Sequence, residues 1–363
     1  LAMISVGFIL PTVSRCSARR AARCTLAGAS IAFLVALSIA GILTLGRLGL
    51  YPAPETELPS LPGVLGIRVD ELTAIMLFTI SSIGLVVSRF ALRYLDADVA
   101  QRRFSIWLAF ALAAGLVLVL ASNLLVFFGA WVATSHALHQ LLTIYGDRPA
   151  ARKKFVISRM GDAFLAVAFI WIYQTFGTFE LSEIFAQARQ LADAEQSARV
   201  LPSAVLIVLG AMTKSAQLPV HSWLPETMEA PTPVSAMMHA GIINAGGFLV
   251  IRMSPLIVHA QAALSILAVI GALTAVFGSV VMLTQTDVKK KLAFSTVSQM
   301  GFMMLQCGVG AFSAATLHLV GHSFYKAHGF LSAGSWIDPQ PPRIRALASE
   351  SGVRWSDVLA SVA

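Results

Sequence analysis

MTKSAQLPVHSWLPETMEAPTPVSAMMHAGIINAGGFLV, Met212 to Val250, decides how this chain folds. An apolar run, Leu201 to Met212, leads into Lys214, and Pro219 then interrupts the helix. A short polar segment follows with His221, Glu226 and Glu229, before Pro231 and Pro233 restart an apolar helix containing His239 and Asn244. In hydrocarbon a charge or a free backbone group is costly, so transmembrane helices mostly avoid both. A helix broken between a lysine and a histidine is how membrane proteins build ion paths. The plainer alternative is a lysine snorkelling at a helix end beside a proline loop.

The composition around this stretch excludes a soluble enzyme. Of 363 residues, 57% are hydrophobic and only 12% charged, where a soluble domain carries about 25% charged residues. Mean hydropathy is +0.77. The chain therefore reads as a polytopic membrane protein. The net charge of +8 invites a nucleic-acid partner, but in a membrane protein the test is where the basic residues lie. Cys16, Cys24 and Cys307 are scattered, with no CxxC pair, so neither a metal site nor a disulfide framework is indicated. There is no Walker A sequence and no dinucleotide fingerprint beside a strand, hence no nucleotide cofactor in this chain.

Apolar runs of about 17 to 25 residues can span a bilayer. They fall near 24–46, 70–92, 104–122, 124–145, 155–176, 201–218, 232–252, 257–284, 288–310 and 313–336. The fold expected is an all-α bundle of about ten spans, with a broken helix near 214–231. Residues 47–69, with Pro52, Pro54, Pro59 and Pro62, read as a loop, and 177–200, with Glu180, Glu183, Asp193 and Glu195, as too polar to insert. Residues 1–23 read as a basic N-terminal segment, the remnant of a truncated first helix rather than a signal peptide, whose charges would come first. Residues 24–336 form the transmembrane domain and 337–363 a polar cytoplasmic tail.

Basic residues set the orientation. If the residues before 24 are cytoplasmic, one side of the membrane collects four groups and the tail. The groups are Arg15, Arg19, Arg20 and Arg23; Arg93, Arg102 and Arg103; Arg148, Arg152, Lys153 and Lys154; and Lys289 to Lys291. The tail adds Arg343, Arg345 and Arg354. The other side holds Arg47, Arg68, Arg189, Arg199 and Arg252. This asymmetry follows the positive-inside rule, puts the C-terminus in the cytoplasm, and explains the high isoelectric point with lipid rather than nucleic acid as partner.

Four basic residues remain inside spans: Arg89, Arg159, Lys214 and Lys326. Arg89 lies near a cytoplasmic end, within snorkelling reach. Arg159 sits one turn from Asp162, close enough for mutual neutralisation. His318, His322 and Lys326 recur every fourth residue and share a face, with Tyr325 and His328 on neighbouring faces. Titratable groups stacked through an apolar helix suit a proton relay, because histidine titrates near neutrality. A structural polar core and a metal site are the alternatives, the last lacking carboxylate or cysteine company. Gly271 and Gly278 mark close helix packing. Asp287 suits the N-terminus of the next span, and Lys289 to Lys291 suit the interface, with room for one to point into the bundle.

KSAQLPVHSWLPETMEAPTPVSAMMHAG, QTDVKKKLAFSTVSQMGF and LHLVGHSFYKAHGFLSAGS resemble the antiporter-like membrane subunit of respiratory complex I, the chain 5 or subunit L type. VDELTAIM (69–76) and ISRMGDAF add to the likeness, which covers roughly residues 65 to 336. The resemblance implies a proton-translocating bundle of inverted repeats around broken helices. It implies that Lys214 is the central lysine of the first half-channel, and that His239, His318, His322 and Lys326 lie on the hydrated axis joining half-channels. His221, Glu226, Asn244, Asp287, Lys289 and His328, with Arg159 and Asp162, are its expected supporting polar groups. Two departures stand out. The family pairs its lysine with a glutamate in a Trp-Glu sequence, which here reads Ala130-Trp131-Val132. The family also runs on through further helices, so a fragment or truncated product is expected.

SHALHQLLTIYGDRPAARKKF, HAGIINAGGF and SFYKAHGFLSAGS are similar to one branch, the membrane subunit of a two-component inorganic-carbon pump (DabB type). That likeness implies a large zinc-containing partner resembling a β-carbonic anhydrase (DabA type), which would hold the metal and the carbon chemistry. Three functions are in play: ion conduction for such a transporter, proton pumping beside other complex I membrane subunits in an NADH:quinone oxidoreductase, and cation/proton antiport. The DRPAARKKF loop and SFYKAH favour the first, and Val132 counts against the other two. In each case the site of action is a bacterial inner membrane.

Overall fold

The computed structural model describes residues 17–48, 57–61, 65–145, 149–191 and 194–336. Most of the expected N-terminal remnant and all of the expected tail, 337–363, lie outside the described residues. In chain order the long helices begin with α1 (Ala18–Arg47), α2 (Glu71–Tyr94), α3 (Gln101–Leu120), α4 (Leu124–Leu142) and α5 (Pro149–Phe176). A short α6 (Leu181–Ala188) precedes α7 (Ala194–Lys214), and a four-residue α8 (Trp223–Glu226) lies within the break. After the break come α9 (Thr232–Ala240), α10 (Ala245–Arg252), the single turn α11 (Ser254–Ile257), α12 (Gln261–Thr284), α13 (Val288–Gly308) and α14 (Phe312–Trp336).

Among the described residues, seven helical segments are long and apolar enough to cross a membrane, counting α9 and α10 as one. The helices α7, α13 and α14 coincide with the other three expected spans and carry the polar residues that lower their hydropathy. Local chemistry starts several helices. The side chains of Asp70, Asn123 and Asp287 each accept a hydrogen bond from a first-turn N–H: Thr73 at 2.9 Å, Leu125 at 2.8 Å and Lys290 at 2.7 Å. Such caps satisfy donors that the helix itself cannot.

Three details differ from the sequence expectation. The proline-rich 47–69 segment contains an antiparallel hairpin, β1 (Glu57–Leu61) with β2 (Leu65–Arg68), pairing Glu57 with Arg68. Its apolar-polar alternation is broken by Pro59 and Pro62, which hides the strands; proline is tolerated because a two-stranded ribbon consists of edges. The 177–200 segment, expected only to be too polar to insert, carries α6 and the first two turns of α7. The span expected at 201–218 ends at Lys214. There Ala216 takes a left-handed φ of 49°, and the Gln217 N–H reaches back to the Met212 carbonyl at 3.1 Å, as at a helix C-terminus.

The ion pairs sort the loops onto two faces. On one face, Arg19 pairs with Asp96 at 2.9 Å, Tyr145 donates to Asp98 at 2.7 Å, Lys153 pairs with Glu226 at 2.6 Å, and Lys289 approaches the Ala230 carbonyl at 3.4 Å. On the other, Arg47 meets Glu71, Asn123 donates to Glu180 at 2.9 Å, and Arg252 binds Asp70 at 2.5 Å. This agrees with the partition inferred from the basic residues. Two of those residues are not loop cations, however: Lys154 and Arg252 are buried, 4% and 5% exposed. One comes off each side, so the asymmetry stands.

The core sits around α9 and α10, whose residues are almost all buried, while α1 and α12 turn Leu34, Val276 and Leu283 outward, as lipid-facing helices do. Helices α12 and α13 pack through glycine. A Cβ on Gly271 would lie 2.5 Å from the Leu305 nitrogen, and one on Gly301 would lie 2.5 Å from that of Ala275. Gly278 and Gly308 are equally tight against Ser298 and Ala268. The expected small-residue packing thus gains its matching glycines on α13.

Candidate functional site

Helix α7 delivers Lys214 to a buried position against α4. Its Nζ donates to three neutral oxygens: the Trp131 carbonyl at 3.0 Å, Thr134 Oγ1 at 2.7 Å and Ser135 Oγ at 2.8 Å. It also lies 4.1 Å from the centre of the Trp131 ring, where the π face favours a cation. A protonated amine has three N–H bonds and here finds three acceptors. The Thr134 hydroxyl also donates to the Trp131 carbonyl at 2.8 Å. Hydroxyls accept from an ammonium and can turn to donate to an amine, so this cradle serves both protonation states, whereas a carboxylate only accepts.

Asp162 faces the same cluster from α5, within electrostatic reach of Lys214 and Lys154, and forms the expected pair with Arg159 at 2.6 Å. Val132 is partly buried against the apolar core. Among the described residues, the hydrogen bonds of Lys214 all go to oxygens of α4, and no carboxylate takes the place of the one missing at Val132 in direct contact with it.

The break beyond Lys214 is closed by polar side chains. Ser215 Oγ donates to the Ile243 carbonyl at 2.8 Å, and the Leu218 N–H donates to Thr274 Oγ1 at 3.1 Å. Backbone groups freed by the break therefore find protein partners, the condition for irregular chain at membrane depth. His221 is half-buried with its ring 4.8 Å from that of Phe277. Glu226 is taken up by the exposed Lys153 pair.

A second polar cluster joins α9, the turn just before α10, α13 and α14. His239 is fully buried; its Nδ1 lies 3.0 Å from Thr296 Oγ1, and its ring stacks on Phe330 at 4.3 Å. Asn244 donates to the Ala240 carbonyl at 2.9 Å and to Ser323 Oγ at 2.7 Å. Lys326 is fully buried and donates to the Leu292 carbonyl at 3.1 Å. His318 and His322 stand with ring centres 6.2 Å apart. His322 is buried and makes no hydrogen bond to the described protein. Both line a groove of about 460 Å³ with Gln299, Gln306 and Tyr325. The structure thus brings His239, His318, His322 and Lys326 into one region. It leaves His328 exposed, and Asp287 is an exposed cap. Lys289 is the one of the three lysines turned toward the break. Among the described residues, no group of three His, Cys, Asp or Glu could hold a metal ion.

Sequence reasoning missed Thr134, Ser135, Thr296 and Ser323, which are too common in helices to signal a role. It also missed Lys154, whose Nζ donates to the Ser135 carbonyl at 2.8 Å.

A multi-pass bundle with a lysine at a helix break and a histidine–lysine cluster beyond it defines an antiporter-like membrane subunit. The chain belongs to that family: the profile described as "NADH:quinone oxidoreductase/Mrp antiporter, TM" matches residues 121–363. That of the "NADH-Ubiquinone oxidoreductase (complex I), chain 5 N-terminus" matches 58–105. The chain is 46% identical over 288 residues to the probable inorganic carbon transporter subunit DabB2 of Halothiobacillus neapolitanus, covering 77% of this chain and 52% of that one. It is 40% identical over 292 residues to NADH-quinone oxidoreductase subunit L of Rhodobacter capsulatus, covering 75% and 41%. A chain of the Mrp complex from Dietzia sp. superposes with a TM-score of 0.74 at 29% identity, covering 90% of this chain and 36% of that one. The chain spans about half the length of the curated relatives it matches.

Proposed function

We propose that this chain is the proton-translocating membrane subunit of an energy-coupled inorganic-carbon transporter. It lies in a bacterial inner membrane with a cytoplasmic C-terminus, and residues 24–336 form the conducting domain. The observation that carries the reading is the all-neutral cradle of Lys214, which holds an amine in either protonation state without the family's glutamate. The similarity to a carbon transporter subunit supports the same branch. Protons moving down their gradient enter through the His318, His322, Lys326 and His239 cluster, load Lys214, and leave at the cytoplasmic face bearing Lys153 and Glu226. The carbon chemistry belongs to a large soluble partner resembling a β-carbonic anhydrase, where zinc would reside. The similarity to a subunit L keeps a second reading, a proton pump beside other complex I membrane subunits. Co-purification from native membranes separates them: a large zinc protein supports the first, and a set of dehydrogenase subunits overturns it.

Val132→Glu should impair bicarbonate uptake even where the protein inserts. A carboxyl group placed among apolar neighbours is driven to its neutral form, and burying even a neutral polar group unpaired costs on the order of 2–7 kcal/mol. If it reached Lys214, it would hold the ammonium form and block proton release. Growth at low carbon dioxide, in a host lacking its own carbon transporter, reads the effect. Undiminished growth would move weight to the respiratory reading.

His322→Gln keeps hydrogen bonding and loses titration. Uptake should fall by about tenfold or more, the scale of a lost proton-transfer group, with no change in bound metal. A stoichiometric metal in the purified protein, lost in the variant, would sink the relay.

A further inference from the structure

Helix α5 buries one face, built from Ala151, Lys154, Gly161, Leu165 and Ala168, so Lys154 is committed to the interior by its register. Its Nζ binds the Ser135 carbonyl at 2.8 Å, and the Ser135 hydroxyl accepts from Lys214 Nζ, also at 2.8 Å. One serine therefore holds two buried lysines, one through its backbone and one through its side chain. The charged groups facing this pair are Arg159 and Asp162 from α5 and His136 from α4. Arg159 and Asp162 already neutralise each other at 2.6 Å. Asp162 is thus one carboxylate shared by Arg159, Lys154 and Lys214, so two ammoniums beside one residue exceed the counter-charge, and in a low-dielectric interior their repulsion couples the two protonations.

The helix that carries Lys154 begins at a surface pocket. Ala150 and Ala151, one turn earlier on its helix, line a pocket of about 290 Å³ with Glu226 and Glu229. Lys154 lies one helical turn deeper than the mouth formed by that pocket, on the same helix, and binds the serine that also holds Lys214.

From this geometry we infer that Lys154 and Lys214 share one transported proton across Ser135, with Lys154 as the residue that exchanges it with the mouth. In each step one bond to the proton breaks as another forms: the proton of Lys214 passes to neutral Lys154, leaving Lys214 an amine, and Lys154 then gives it to a hydrated acceptor at the mouth and returns to the amine. The inference rests on the proposed proton path through Lys214.

The test is proton flux into phospholipid vesicles holding the purified full chain with whatever subunits co-purify, driven by a potassium diffusion potential and read with an internal pH dye. Lys154→Arg keeps a donor and a charge but cannot release its proton; Lys154→Gln keeps a donor and carries none. Both should lose flux by about tenfold or more, and any residual flux should depend on pH through one step where the parent shows two. If either variant conducts normally while Lys214→Ala is dead, Lys154 only anchors Ser135 and the shared proton is overturned, with the Lys214 path intact. Normal flux in Lys214→Ala overturns both. Should the Arg and Gln proteins fail to insert, Lys154→Met, which needs no acceptor, is judged by the same criterion.

Discussion

Lys214→Ala is expected to abolish energised uptake, by about a hundredfold or more, while the protein still reaches the membrane. On the proposed path every proton passes through this amine, so deleting it removes the carrier rather than slowing it; a hundredfold corresponds to about 2.7 kcal/mol. Insertion should survive because the vacated oxygens are few and partly served. Thr134 Oγ1 already donates to the Trp131 carbonyl, leaving Ser135 Oγ as the main orphan, at a cost of about 1–3 kcal/mol. Lys214→Arg should be equally inactive, since guanidinium keeps its proton. Radiolabelled bicarbonate uptake, normalised to membrane content, checks both. Near-normal uptake by the alanine variant would reduce Lys214 to a structural tie between α7 and α4.

The largest loss of stability is expected from Arg252→Ala. Arg252 is buried and donates to Asp70 at 2.5 Å and to Thr73 Oγ1 at 2.7 Å, and Arg68 Nε reaches Asp70 at 2.9 Å. This cluster ties the end of α10 to the start of α2 and to β2. Breaking one side of a buried pair costs about 3–5 kcal/mol when the charge left behind is unpaired, and toward the lower end here, because Arg68 still holds Asp70. Burial opposes ionisation of Asp70, but the Arg252 charge, with hydrogen bonds from Arg252, Thr73 and Arg68, holds its carboxyl well below the usual range. A depressed native value stabilises the fold above the unfolded value, about pH 4, and that contribution fades as pH falls toward the native value. Thermal melts in detergent from pH 7 to 3 should show the parent losing stability below about pH 4. Arg252→Ala should start lower and decline less steeply. Parallel curves would show that the cluster is not the acid-sensitive element.

Much of this was legible in the sequence because membrane burial writes strong signals. Ten apolar runs, the break after Lys214 and the i, i+4 recurrence of His318, His322 and Lys326 each follow from the cost of polar groups in hydrocarbon. The hairpin at Glu57–Arg68 was hidden because its prolines mimic a loop. Lys154 was misplaced because it follows Arg152 and Lys153, and a basic run at a helix end reads as interface. Its helical phase held the correction, since Ala151, Gly161 and Leu165 lie on its face and are all buried. Arg252 was misplaced because its partner, Asp70, lies far away in sequence.

The glycine-packed α12–α13 pair bears on the order in which the protein is built. Helix α13 supplies both Thr296, which meets His239, and the Leu292 carbonyl, which receives Lys326. During synthesis α9 emerges first, with His239 and no Thr296 to meet. The helical hairpin comes next, able to zip its own glycine faces together before it touches anything else. Its docking gives His239 its partner and presents the acceptor for a lysine not yet translated. The histidine–lysine cluster is thus assembled from a prefabricated part, and α14 closes it last.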